Sequence, residues 1–213
     1  MRRIEKGAEP QALTQWKRAN PNRRYSDLAG NLQVKDSIRD ACVAEQYGLC
    51  AYCCQRISAD RDSSHNEHVE AQALALNRTL DFSNIVASCN TGRQCGDAHG
   101  SQVLPLTPLM DECAGELKFE LSGKVEGLSE RARASIEVLK LGSDHQNNRR
   151  LIDYRKSMID TLLFTEGLQP GELMNEDDDI LDAMLDALQQ LDPEQKMQPF
   201  APVLTNIIRH LRA

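Results

Sequence analysis

The strongest periodic signal in the 213-residue chain lies near its end. Phe200, Val203, Leu204, Ile207, Ile208 and Leu211 fall at i, i+3, i+4, i+7, i+8 and i+11. That spacing puts all of them on one stripe of an α-helix. Upstream, Ile180, Leu181, Met184, Leu185 and Leu188 predict a helix over 179–191, and Leu151, Ile152, Ile159, Leu162 and Leu163 predict another over 147–164. Ser129 can cap a helix that runs to about Lys140, with Ile136 and Leu139 inward and Gly142 ending it. Near the start, Leu13 and Trp16 mark a short helix over 10–19, closed by Asn20-Pro21-Asn22. Leu32, Ile38, Cys42 and Val43 mark a helix over 32–47, stopped by Gly48.

Strand signals are few. Phe119 to Val125 reads as a hairpin turning at Ser122-Gly123. Residues 55–69 have no helical period and are rich in Ser, Asp and Asn, which predicts a short β-hairpin or loop leading to His68. Residues 71–77 suit one or two helical turns, and Phe82 to Ala87 is a short apolar run. Pro105 and Pro108 mark a connector, and Leu168 to Asp179 a linker with Pro170-Gly171 and an acidic cluster. Aromatic residues make up 4% of the chain, which argues against a large sandwich and for a Leu/Ala-rich helical build. The expected fold is mostly α with a small β-hairpin, divided into a domain over 1–165 and an acidic helical appendage over 166–213. The apolar stripe of the appendage must bury itself either on its own domain or on a partner.

Charge sharpens that division. Residues 1–165 carry 22 basic and 22 acidic side chains, whereas 166–213 carry 3 and 10, the whole net charge of −7. Residues 1–24 hold seven basic groups against two acidic, so one end can lie against a polyanion and the other is repelled by it. Arg2, Arg3, Arg23, Arg24, Arg78 and Arg93 are candidate phosphate contacts. No apolar run is long enough for a membrane span, and the basic start Met1-Arg2-Arg3-Ile4 has no apolar stretch behind it, so no secretory signal is expected.

The seven cysteines are an odd count, which points to a reducing, cytoplasmic setting. Four form two close pairs, Cys50-x2-Cys53 and Cys89-x5-Cys95. Zn²⁺ takes four soft ligands in a tetrahedron, and two short knuckles brought together supply them. A structural zinc on Cys50, Cys53, Cys89 and Cys95 is therefore expected, with Cys54 able to replace Cys53. Cys42 and Cys113 read as core.

Between the pairs stands Asn66-Glu67-His68-Val69, then Asn84, and past Cys95 comes His99 in Cys95-Gly96-Asp97-Ala98-His99. An acid–His pair, an Asn and a His, bracketed by two knuckles, resembles the HNH endonuclease or ββα-metal motif. The residue types suit phosphodiester hydrolysis. A neutral imidazole can take a proton from water at cellular pH, and a hard divalent cation offsets charge on the scissile phosphate. The resemblance implies that His68 is the general base, that Asn84 orients it, and that Glu67 and His99 hold a catalytic Mg²⁺ or Mn²⁺. The usual second knuckle is C-x2-C followed at once by Asn. Here Cys95 is followed by Gly96, which cannot ligate, so Asn90 and Asp97 are alternatives to His99. His65 reads as a solvated loop residue, Glu70 and Gln72 as solvent-facing, and His145 and His210 as uninvolved in chemistry.

The opening Met1-Arg2-Arg3-Ile4-Glu5-Lys6-Gly7, the Leu49-Cys50-Ala51-Tyr52-Cys53 knuckle, Asn66-Glu67-His68-Val69 and Phe82-Ser83-Asn84-Ile85-Val86-Ala87-Ser88-Cys89-Asn90 together resemble the PtuB group. PtuB proteins are the HNH nucleases of Septu and retron-associated anti-phage defence systems. The resemblance covers about residues 1–165. It implies a nucleic-acid substrate (DNA first, RNA such as tRNA second), a partner ATPase, PtuA, and a retron reverse transcriptase with its RNA/DNA hybrid as a further partner. The competing reading is a zinc-stabilised module that binds nucleic acid or protein without cutting.

Overall fold

The computed structural model describes residues 1–165 and 167–212. Seven α-helices are assigned among them: α1 Gln11–Ala19, α2 Leu32–Glu45, α3 Cys95–His99, α4 Glu130–Leu139, α5 His145–Thr165, α6 Asp178–Gln189 and α7 Ala201–Leu211. The four strands, β1 Ser64–His68, β2 Ile85–Cys89, β3 Leu117–Phe119 and β4 Val125–Gly127, form two separate antiparallel pairs. Among the described residues no helix is long and apolar enough to cross a membrane.

The site-bearing hairpin differs from its expected place. The pairing partner of β1 lies outside 55–69. It is the apolar run that ends at Cys89, with Ser64 opposite Cys89 and His68 opposite Ile85. All of β2 is buried against α2. The loop between the strands, 69–84, is long and holds only short 3-10 turns, at Leu76–Arg78 and Phe82–Asn84. After β2 the five residues 90–94 lead into α3, which packs against β2, so β1, β2 and α3 lie together as a ββα arrangement.

The remaining elements follow their local chemistry. Ser129 Oγ accepts the Ala132 amide at 3.1 Å and starts α4, and Lys140 in the left-handed region ends it two residues before Gly142. α5 is kinked at Asn148, whose Oδ1 accepts the Leu151 amide and restarts the helix there. The β3–β4 turn needs Gly123 at φ +84°, because a Cβ there would meet the Ile152 carbonyl.

The C-terminal stripe completes the core. Val203, Leu204 and Ile208 of α7 are fully buried in the same apolar cluster as Leu13, Ile38 and Ile85. Asn206 locks the helix to β3, its Oδ1 accepting the Phe119 amide at 2.9 Å and its Nδ2 donating to Leu117 O at 2.8 Å and Ala114 O at 3.1 Å. The Met197 and Phe200 amides reach back to Tyr47 O and Cys54 O, next to the first knuckle. Part of the acidic charge is answered internally, since Arg212 of the tail pairs with Asp182 and Asp178.

Replacing Asn206 by Ala leaves three backbone groups of β3 and its approach without partners. The expected loss is about 2–4 kcal/mol in urea unfolding, with one transition for the whole chain. A tail that unfolds separately from residues 1–165 would contradict this packing.

Candidate functional site

Four of the seven cysteines meet. The sulfurs of Cys50, Cys53, Cys89 and Cys95 all lie within 4.8 Å of one another and are buried. The edge of a zinc tetrathiolate tetrahedron is about 3.8 Å. The first pair sits in a tight turn where the Cys54 amide returns to the Cys50 carbonyl and Cys50 N donates to Gln55 O. The second pair brackets the passage from the end of β2 to the first residue of α3. Cys54 lies outside the cluster, and Cys42 and Cys113 are buried core thiols.

The surroundings suit anionic sulfur. The Cys89 amide points at Cys50 Sγ at 3.4 Å. Gln94 Nε2 stands 3.7 Å from Cys89 Sγ and 4.0 Å from those of Cys53 and Cys95. Its orientation is fixed because Gln94 Oε1 accepts from Asn148 Nδ2. Sulfhydryl donors from Cys50, Cys53 and Cys95 hold Cys89 well below the usual thiol range, and burial pushes Cys53 and Cys95 up. Arg155 gives independent support. It is wholly buried and bonds only to the Gly123 and Leu141 carbonyls, with its Nε unpartnered. Burial lowers its pKa to about 10, and the nearby Cys53, Cys54 and Cys95 sulfurs oppose that shift. A buried guanidinium without a carboxylate is costly unless another anion faces it. A zinc tetrathiolate carries two negative charges and supplies that anion, so the donor set fits zinc.

The strand alternation separates the two neighbours on β1. Glu67 faces α3, while His68 faces the loop and α2 side. His68 Nε2 lies 2.8 Å from Thr79 O and its ring meets Tyr25 edge-on at 4.7 Å. A carbonyl only accepts, so Nε2 carries the proton and Nδ1 keeps the lone pair. Nδ1 has no protein partner among the described residues and is not one of the sealed polar atoms. Burial lowers the pKa of His68, with Thr79 O and the charge of Glu67 opposing it. His68 makes no hydrogen bond to Glu67 or His99.

Asn84 acts on the backbone beyond His68. Its Oδ1 accepts the Glu70 amide at 2.8 Å, its Nδ2 donates to the Glu70 carbonyl at 3.0 Å, and its own carbonyl accepts the Val69 amide. The two ends of the 69–84 loop are thereby clamped, and Thr79 is returned to His68 by that loop. Arg78 is spent within it, pairing with Glu70 and Asp81.

On the other face, Glu67 is nearly buried and touches three partners. Oε1 lies 2.5 Å from His99 Nδ1 and 3.3 Å from the Tyr52 hydroxyl, and Oε2 lies 3.6 Å from His65 Nε2. Burial raises the pKa of Glu67, but the contacts from His65 and His99 outweigh it and the net shift is downward. His99 is fully buried and its Nε2 donates to Gln102 O at 2.9 Å. Of the alternatives to His99, Asn90 bonds His65 and Asp97 accepts the Arg93 amide, and neither bonds Glu67. His65 is the residue that the aperiodic 55–69 stretch concealed. It is a strand residue two places before Glu67, so both project from the same face. His145 begins α5, and His210 in α7 bonds only its own helix.

No protein-family model matches the chain. It is 33% identical over 106 residues to a protein of Escherichia coli named "Retron Ec83 putative HNH endonuclease". The alignment covers 46% of this chain and 40% of that relative.

The cysteine centre makes a direct prediction. Purified protein holds about one Zn²⁺ per chain by elemental analysis, and Cys50→Ser loses it. Arg155→Met keeps the ligands but surrenders zinc to a chelator about 10-fold or more faster. A folded, metal-free wild type would contradict both.

Proposed function

We propose that the chain is a metal-dependent HNH-type endonuclease that hydrolyses nucleic-acid phosphodiesters. The observation that carries this reading is the ββα unit that sets a neutral, carbonyl-anchored imidazole and an imidazole-flanked carboxylate on consecutive residues, His68 and Glu67. The relative from Escherichia coli, named a putative HNH endonuclease of retron Ec83, supports it.

In this reading His68 Nδ1 takes the proton from the attacking water, while Thr79 O holds the ring and its tautomer. Burial keeps the ring neutral and therefore basic. Asn84 keeps the loop closed so that Thr79 stays in place. Glu67 and His99 would hold a divalent cation, Mg²⁺ or Mn²⁺, which when bound would offset negative charge on the scissile phosphate and the leaving oxygen. The fit is chemical: His99 Nε2–H is engaged by Gln102 O, which leaves Nδ1 as the ligating nitrogen beside a carboxylate oxygen.

The proposed substrate is DNA, with RNA such as tRNA second, because these residues grip a phosphodiester and do not read the sugar. The setting proposed from the PtuB resemblance and the retron relative is cytoplasmic anti-phage defence beside the ATPase PtuA and a reverse transcriptase. The test is cleavage of plasmid DNA, single-stranded DNA and tRNA with Mg²⁺ or Mn²⁺, with and without the copurified partner. His68→Ala is expected to lose about 100-fold or more of the rate while keeping its zinc and its fold. If wild type and variant both leave every substrate intact under all these conditions, the non-cutting binding module replaces this reading.

A further inference from the structure

The side of β1 from which His68 projects carries polar groups that hydrolysis by His68 leaves unused. Ser64, Asn66 and His68 share this face, and Glu67 projects from the other. Against it stand Tyr25, at the start of the 3-10 turn Tyr25–Gly30, and Lys35 of α2. Tyr25 is held at both ends. Its amide donates to Thr79 Oγ1 at 3.4 Å, on the residue whose carbonyl anchors His68, and its hydroxyl lies 2.9 Å from Asn66 Nδ2. The rings of Tyr25 and His68 meet edge-on, with centres 4.7 Å apart.

The directions of these hydrogen bonds leave one donor over. Asn66 Nδ2 also lies 2.9 Å from the Lys35 carbonyl. A carbonyl only accepts, so the Asn66 amide must present its nitrogen here, and that nitrogen donates to the Tyr25 hydroxyl as well. Asn66 Oδ1 is sealed without a donor, so the phenol proton is not spent on it. Among the described residues that proton has no acceptor. Burial pushes the Tyr25 phenol up, with the Asn66 bond opposing, so the group stays a donor at neutral pH.

A cation stands over the same ring. Lys35 Nζ lies 5.3 Å from the centre of the Tyr25 ring, which places the ammonium one aromatic ring away from His68. Lys35 is half-buried and has no carboxylate partner among the described residues, and its neighbour Asp36 is spent on Arg39 and Arg61. A cation over a ring face keeps its N–H groups for an anion. The arginines Arg3 and Arg78, by contrast, are already paired with carboxylates. An ammonium and an unspent phenolic O–H on one ring beside a base match a phosphate oxygen, which is anionic and only accepts.

We propose that Tyr25 and Lys35 form the seat of a DNA backbone phosphate that flanks the scissile one, so that the substrate strand crosses the α2 side of β1. Lys35 supplies charge, and the Tyr25 hydroxyl donates one directed hydrogen bond. The contact is to the backbone and carries no sequence information. The inference rests on His68 being the base under Proposed function and names the path of the strand past it.

The test is binding of a short fluorescent DNA duplex to the zinc-replete chain without added divalent ion, followed by anisotropy over a series of salt concentrations. Lys35→Gln is expected to bind about 5-fold or more weakly at about 0.1 M salt and to make the slope of log K against log[salt] shallower by about 0.9, a change that a merely structural loss would not produce. Lys35→Arg should restore the slope. Tyr25→Phe keeps the ring against His68 and should weaken binding about 5-fold or more with the slope unchanged, because it removes a hydrogen bond and no charge. Zinc content equal to that of wild type checks the fold of each variant. Wild-type affinity and slope in Lys35→Gln would overturn the seat, and wild-type affinity in Tyr25→Phe would overturn the part of the phenol in it. Cleavage of the same duplex with Mn²⁺ separates the parent reading. If His68→Ala cuts as fast as wild type, the assignment of the base fails. If His68→Ala is inactive while Lys35→Gln binds and cuts as wild type does, the seat alone fails.

Discussion

The constraint on which the rest of the molecule depends is the meeting of four buried sulfurs from Cys50, Cys53, Cys89 and Cys95. They join three stretches of chain: a turn after α2, the end of β2 and the start of α3. α3 has five residues, far too few for a helix to persist on its own propensity. Its position is set by Cys95 at its first residue and by the Ser88 hydroxyl, which accepts the Gly96 amide at 3.0 Å. His99 rides at the far end of that one turn. The place of His99 is thus fixed through the cysteine cluster, which the amide of Gln94 faces.

From that anchor the two faces of β1 acquire different tasks. The period of a strand sends Glu67 and His68 to opposite sides, which separates the imidazole-flanked carboxylate from the carbonyl-anchored imidazole. Each side is then oriented by backbone carbonyls: Gln102 O for His99 and Thr79 O for His68. Carbonyls are the right choice because they can only accept, so each one selects a tautomer as well as an angle. The loop that carries Thr79 is long and poor in regular structure, and Asn84 compensates by bonding both backbone groups of Glu70. An Asp would reproduce one of those bonds and repel the other.

The helices were legible because each has an apolar stripe and a recognisable end. Ser129 caps α4 as its sequence predicts, and the stripe from Phe200 to Leu211 is a helix from Ala201. What periodicity left open was the surface that stripe covers. Asn206 and the return of the Phe200 amide to Cys54 O decide it in favour of the chain's own core. The functional hairpin was hard to place for a different reason. Ser64-His65-Asn66-Glu67-His68 has no apolar residue, so it carries no period-2 hydrophobic signal. Its residues are held by polar contacts: Ser64 to the Ser58 carbonyl, Asn66 to Tyr25 and the Lys35 carbonyl, and the His and Glu to one another. His65 was hidden by the same absence. Once β1 is known to be a strand, its i, i+2 relation to Glu67 is the signal that places it in the site.

The long second knuckle follows from the same geometry. Cys89-x5-Cys95 has three residues more than a two-residue spacer, and Cys95 enters α3 from a left-handed conformation at φ +53°. That conformation is strained for a cysteine and persists only where its surroundings fix it. Both ends of the spacer make side-chain contacts that order their neighbours. Asn90, at its start, orients His65 and ties it to the Arg61 carbonyl. Gln94, at its end, directs its amide at three sulfurs and joins them to Asn148 at the kink of α5. The lengthened spacer thus ties both neighbourhoods to their surroundings, Asn90 holding His65 beside Glu67 and Gln94 holding the cysteine cluster to α5.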